Sequence, residues 1–276
     1  MADPFRVGLF ALSLASVVAS SLLLVGPLRL GGVGTVLALW VIGTGQVVLL
    51  AEGLSLLRAL DWPGFLLGHL LVLGATAVWA WRRPSGERWA AVCEARAGLG
   101  RLWSVAWDWQ APVVPIVAGA VLVTGLISLT LALWVPPNIS DALSYHLPRV
   151  GYYLQFRSLG HYPVDDPRQV AFPVNAELLI LWTVAFLRAD WLANTVELAA
   201  WAVTAVGVYG LGRQVGFCLR AALFGAGVFA LLPQPVLQST STWNDLVAVS
   251  FVVASLYFLL EAAVGARFIA PSGEGA

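Results

Sequence analysis

Pro112-Val-Val-Pro-Ile-Val-Ala-Gly-Ala-Val-Leu-Val-Thr-Gly-Leu-Ile-Ser-Leu-Thr-Leu-Ala-Leu-Trp-Val135 contains no charged side chain. A helix that crosses the hydrocarbon of a bilayer needs about 20 predominantly apolar residues, so this stretch reads as a membrane span. The same reading applies, working outward, to residues 6–26, 33–57 and 63–81 on one side and to 190–212, 219–236 and 246–265 on the other. The chain is therefore expected to be an all-α polytopic membrane protein of about seven transmembrane helices.

Composition leaves little room for another class. Hydrophobic residues make up 59% of the 276 and charged residues 11%, whereas an average soluble domain is about one quarter charged. Mean hydropathy is +0.84. A globule with so few charges could not clothe its surface in polar groups, and lipid is the solvent that suits it. Net charge is zero, every basic residue is arginine, and no basic stripe runs along the chain, which argues against a nucleic-acid partner. Cys93 and Cys218 match no metal or redox spacing and read as inert thiols. The N-terminal apolar run from Val7 to Val25 is long for a signal peptide and no small-residue cleavage site follows it, so it reads as a retained helix.

Charge then orients the spans. The polar stretch from Arg82 to Gln110 carries Arg82, Arg83, Arg88, Arg96 and Arg101, and arginine-rich short loops stay in the cytoplasm. With that stretch inside, Pro136 to about Asn175 lies outside. The run Ala176–Leu187 is short for a crossing. Laid along the interface, it lets 190–212 return inward and keeps Arg213, Arg220 and Arg267 on the cytoplasmic side. The N-terminus is then outside and the C-terminus inside. The loops at 136–189 and 234–245 share the extracytoplasmic face.

Most of the unexplained polarity sits in those two loops. Ser140 reads as an N-cap that puts Asp141 in a first helical turn, where the dipole and free N–H groups favour a carboxylate. Tyr145, Arg149 and Tyr152 follow at helical spacing and are expected to share its face. An acid beside aromatic rings and a guanidinium suits a base acting on a hydroxyl, with groups for a sugar and a phosphate close by. His146 accompanies them. Further on come His161, Asp165, Asp166, Arg168, Gln169 and Glu177 as candidate binding residues. The second loop brings Asn244 and Asp245, the latter where a helix re-enters the membrane, a costly place for an unpaired acid. Each acid also has a plain structural reading: Asp141 and Asp245 as helix N-terminal acids, Asp165 and Asp166 as turn formers before Pro167. No metal-ligand spacing joins His146 or His161 to these acids, so a divalent ion is unsupported and no cofactor is assigned.

The ordered series Asp141-Ala-Leu-Ser-Tyr-His-Leu-Pro-Arg-Val, His161-Tyr-Pro, Arg168-Gln, Phe172-Pro, Ala176-Glu-Leu, Leu192-Ala-Asn and Ser241-Thr-Trp-Asn-Asp245 resembles the bacterial GT-C membrane glycosyltransferases. Within them it is similar to the dolichyl-phosphate-mannose protein mannosyltransferase and aminoarabinose transferase superfamily. The resemblance covers about 112–265. It implies a bacterial plasma-membrane enzyme that moves a sugar from a polyprenyl-phosphate donor to an acceptor on the extracytoplasmic face. Asp141 is implied as catalytic base, Asp245 as the second-loop acid, and Arg149 or Arg168 as holder of the lipid phosphate. Three regions are expected: N-terminal helices with the basic loop over 1–105, a GT-C-like core over 106–268, and a polar tail over 269–276. Members of the family carry further helices, so the core reads as an N-terminal half. A non-catalytic subunit or remnant that binds lipid carrier or a second chain is the rival expectation.

Overall fold

The computed structural model describes residues 3–110 and 112–269, without the side chains of 85, 88 and 264–269; the role expected for Arg267 and the tail beyond 269 lie outside what it describes. Among the described residues the regular structure is all helical. Long apolar helices are α1 (Pro4–Val25), α2 (Gly31–Leu56), α3 (Trp62–Trp81) and α6 (Val113–Trp134), together with α10 (Thr195–Gln214) and α13 (Asp245–Ile269). These six are long and apolar enough to cross a membrane, and a bent pair, α11 (Leu219–Leu231) with α12 (Pro233–Ser239), brings the number to as many as seven. The protein is a multi-pass membrane protein.

Local chemistry starts and stops the helices. Asp3 caps α1 by accepting the Phe5 N–H at 3.0 Å, and Asp61 caps α3 through the Gly64 N–H at 3.1 Å; each cap is followed by a proline early in the first turn. Arg29, Arg58, Arg157 and Arg188 all have φ near +50° just past helix ends. Glycine usually takes that left-handed position, and here arginine adds a positive charge at the negative end of the helix dipole. The span expected at 219–236 is broken by Pro233: Leu232 is extended and the axis turns by 63° between α11 and α12, because the residue before proline avoids helical backbone.

The stretch 82–110 holds the short turn α4 (Ser85–Arg88) and a helix, α5 (Ala90–Ala106), which packs on the first turns of α2. Glu94 of α5 accepts the Gly31 N–H and the Thr35 hydroxyl, both at 3.0 Å. The two helices touch at glycine: a Cβ on Gly32 would lie 2.9 Å from the Gly98 Cα. Alanine is favoured over glycine inside a helix by about 0.8–1.0 kcal/mol, but overpacking against a fixed backbone costs about 1–3 kcal/mol. Gly32→Ala is therefore expected to destabilise the protein on balance. Thermal unfolding in detergent checks this, and a raised midpoint would mean that α5 shifts freely.

Contacts sort the helix ends into two groups. The Gln214 amide donates to the Tyr257 carbonyl at 3.2 Å, and Arg220 pairs with Asp108, so α10, α11 and α13 meet α5 and α2 at one end. Arg29, Arg82, Arg83, Arg96, Arg101, Arg213 and Arg220 are there. The opposite end joins the start of α1, where Arg6 donates to the Phe186 carbonyl at 3.2 Å, to the end of α2, where Ser55 accepts the Leu159 N–H at 2.7 Å. Asp3, Asp61, Asp141, Asp165, Asp166, Asp190 and Asp245 lie at this acidic end, beside Arg6, Arg58, Arg149, Arg157, Arg168 and Arg188. Exposed tryptophans mark both ends, Trp103 and Trp109 at the basic one and Trp134 at the acidic one, the expected places for rings that favour the bilayer interface.

The run at 176–187 forms α9 (Asn175–Leu187), too short to be a span and with both ends at the acidic end, where Glu177 meets Arg149 and Phe186 meets Arg6. It is covered by protein: eleven of its thirteen residues are buried, against α1, α2, α3 and α7 (Leu147–Phe156). Leu178, Ile180, Leu181 and Phe186 form the centre of the main core with Phe65. A short helix apolar on every side is what burial on every side requires.

Candidate functional site

The site begins with a proline. Pro148 has no N–H to give to the carbonyl four residues back, that of Ser144. The backbone responds with a π-helical turn over Ala142–His146, closed by the Leu147 N–H on the Ala142 carbonyl, before α7 resumes regular winding. The freed Ser144 carbonyl accepts the Gln169 side-chain amide at 2.8 Å. Such single wide turns recur at functional sites.

This turn divides the face expected to join Asp141, Tyr145, Arg149 and Tyr152. Asp141 and Tyr145 meet Arg168, while Arg149 turns into the protein and is fully buried. Arg149 donates from Nε to the Gln169 carbonyl at 2.8 Å and from Nη1 to the Pro173 carbonyl at 3.1 Å and Glu177 Oε1 at 3.0 Å. Its Nη2 donates to the Arg168 carbonyl. His146 Nδ1 lies 2.9 Å from the same Glu177 oxygen. Arg149, His146 and Glu177 thus form an internal cluster that ties the segment 168–173 to α7 and α9, with His146 Nε2 and Glu177 Oε2 buried and unpartnered. A guanidinium so engaged is not available to an incoming phosphate.

Arg168 is the available one. It opens α8 (Arg168–Ala171), one turn started by Asp166, which accepts the Arg168 backbone N–H at 3.0 Å. The Arg168 side chain is 40% exposed. Its guanidinium grips Asp166 from Nε and Nη2, reaches Asp141 Oδ1 at 3.2 Å and Ser144 Oγ at 3.3 Å, and lies over the Tyr145 ring at 4.9 Å. The hydrogen bonds from Arg168 hold the Asp166 carboxyl below its usual range. Gln169 is buried and accepts the Tyr162 hydroxyl at 3.2 Å. Burial first of all pushes the Tyr162 phenol up to about 12.

The second loop reaches the same place. The Gln238 amide donates to Asp245 Oδ2 at 2.6 Å, leaving the residue otherwise exposed. Tyr145 is raised above the ordinary phenol range by burial and then by the negative charges of Asp141, Glu177 and, more weakly, Asp245. His161 and Asp165 stand exposed outside this cluster, and Asn244 is half-buried beside Asp245.

No family model, characterised protein or solved structure matches the chain. Chemistry must be read from the residues themselves. Among the described residues no three His, Cys, Asp or Glu side chains converge as metal ligands; Asp141 and Asp166 converge on a guanidinium. What the cluster offers is a half-exposed arginine that a phosphate reaches by displacing Asp141, an adjacent carboxylate able to accept a proton, and an exposed acid on the second loop.

Two residues in this region, buried Glu197 and half-buried Ser144, are not site candidates by the sequence alone. Glu197, in the first turn of α10, accepts the Leu246 and Val247 N–H groups, both at 3.1 Å. Ser144 contributes its carbonyl to Gln169 and its hydroxyl to Arg168. Glu197 carried a readable signal, an acid inside an otherwise apolar span; Ser144 carried none.

Proposed function

We propose that this protein is an inverting glycosyltransferase that takes a sugar from a polyprenyl-phosphate donor and transfers it to a hydroxyl acceptor at its acidic end, which faces away from the cytoplasm. The observation that carries the reading is Arg168, half-exposed and bridging Asp141 and Asp166 above Tyr145. The resemblance of the ordered motifs to the GT-C superfamily supports the same reaction, and the arginine-rich opposite end supports this sidedness.

The chemistry follows from what each group can do. A phosphate arriving at Arg168 competes with Asp141 for the guanidinium and frees the carboxylate. Asp141 then accepts the proton of the acceptor hydroxyl as its oxygen bonds to the anomeric carbon. The bond from that carbon to the phosphate oxygen breaks, and the electron pair leaves on the polyprenyl phosphate, held by Arg168. A phosphate leaving group is already a stable anion, so no separate acid has to protonate it. Asp245, exposed at the start of α13 and held by Gln238, is a second carboxylate for a sugar hydroxyl. The apolar groove between α1, α2, α9 and α10, lined by Phe10, Val17, Trp40 and Trp182, suits an isoprenoid tail.

The test is transfer of radiolabelled sugar from defined polyprenyl-phosphate donors in membranes that contain this chain. Reporters placed after Arg101 and near Asp165 fix its sidedness in the same strain. Transfer, with Arg101 cytoplasmic and Asp165 outside, is the expected result. No transfer, even with a partner chain supplied, would replace the enzyme reading with that of a lipid-binding subunit.

A further inference from the structure

The first turn of α10 touches both acid-bearing loops with buried polar side chains. Asn194 Nδ2 donates to the Val135 carbonyl at 3.0 Å, at the start of the first loop, and Asn194 Oδ1 accepts the Thr242 hydroxyl at 2.5 Å in the second. Asn194 and Thr242 are 2% and 0% exposed. The amide has one orientation that serves both neighbours, because only its nitrogen can donate to a carbonyl. One turn on, Glu197 is 1% exposed and its two oxygens cap Leu246 and Val247. A helix leaves its first N–H groups without internal partners. In α13 those groups are satisfied by an acid from another helix, so the carboxylate of Asp245 is not consumed as their cap.

We infer that Asn194, Thr242 and Glu197 form a clasp that sets the position of Asp245 relative to Asp141. This rests on the glycosyl-transfer reading for its consequence in catalysis, and on the hydrogen bonds alone for its geometry. Val135 is six residues before Asp141, and Thr242 is three before Asp245. Each loop is therefore anchored close to its acid, and to the same helical turn. Without the clasp, the second loop keeps one tie to α6, the Ser239 hydroxyl on Ser128 at 3.2 Å, and the start of α13 is left uncapped. These are positioning residues: they touch the backbones that carry the acids and stand outside the half-exposed cluster itself.

The clasp can be tested apart from the reaction. Spin labels at Leu143 and Val249, both exposed, in full-length protein with Cys93→Ser and Cys218→Ser, report the distance between the two loops in lipid nanodiscs. The variants are Glu197→Gln, which keeps shape but offers only one acceptor oxygen, and Thr242→Val, which keeps shape but removes the hydroxyl and is mild enough to fold. Both are expected to broaden or shift a single narrow distance distribution. Unchanged distributions in both variants would overturn the clasp. In the transfer assay kcat is expected to fall by roughly 10- to 100-fold with donor KM within about threefold, since misplacement of a reacting group by about 1 Å costs on that scale. A parallel loss of folded protein and kcat, with the distance unchanged in what remains folded, also overturns it. If the wild-type chain transfers no sugar, the enzyme reading fails while the distance measurement still decides the clasp.

Discussion

Asp141→Asn is expected to lower transfer by roughly 10²- to 10⁴-fold while leaving the protein folded. The size follows from the role: a positioned general base contributes about that much to rate, and asparagine has no carboxylate to accept the acceptor proton. The fold should survive because asparagine keeps the shape, and its Oδ1 can still accept from Arg168 Nη1, now 3.2 Å away. The lost ion pair is partly open to solvent, and such pairs contribute about 0–1 kcal/mol. Donor KM is expected to change little, because Arg168 keeps its grip on Asp166 and its place over Tyr145. Steady-state transfer kinetics with purified protein check both halves, beside Asp190→Asn, an exposed acid away from the cluster. A loss confined to KM would make Asp141 a binding group. Activity near wild type would remove it from the reaction.

The sequence was most informative where membrane physics acts alone. A run such as 112–135 has one stable answer in lipid, since every backbone group must be satisfied within the segment. The arginines of 82–101 placed the two acid loops at a common end, and the helix contacts have them there. It was least informative where partners are distant in the chain. Nothing local separates Arg149 from Arg168: both follow turn residues, and both sit among aromatics and acids. Their difference is made by Glu177, 28 residues from Arg149, and by the π turn that Pro148 forces. The same cause hid the clasp, because the cap of α13 comes from Glu197, some 50 residues upstream. The helix α9 was legible in extent but not in depth, since uniform apolarity suits a buried helix and a membrane surface alike until neighbours are known.

Arg149→Met is expected to destabilise the protein by about 3–5 kcal/mol, the cost of leaving one partner of a buried ion pair unpaired. The geometry makes this a severe case. Arg149 and Glu177 are both fully buried and meet at 3.0 Å, and the three other guanidinium contacts go to the carbonyls of Arg168, Gln169 and Pro173. Methionine fills much of the space but leaves Glu177 with His146 alone and takes the guanidinium donor away from three carbonyls. Lysine restores the charge, yet its single ammonium cannot present a planar fork to four acceptors, so Arg149→Lys should recover only part of the loss. Adding Glu177→Met to Arg149→Met removes the stranded charge and should recover another part, leaving the carbonyl share. Arg168→Gln supplies the contrast: its side chain is 40% exposed and its acid partners are 25–29% exposed, which predicts little change in stability and a large loss of donor binding. Unfolding in detergent, paired with transfer kinetics, separates the two arginines. Equal stability of Arg149→Met and wild type would mean that the cluster of Arg149, His146 and Glu177 does not anchor the segment carrying Arg168.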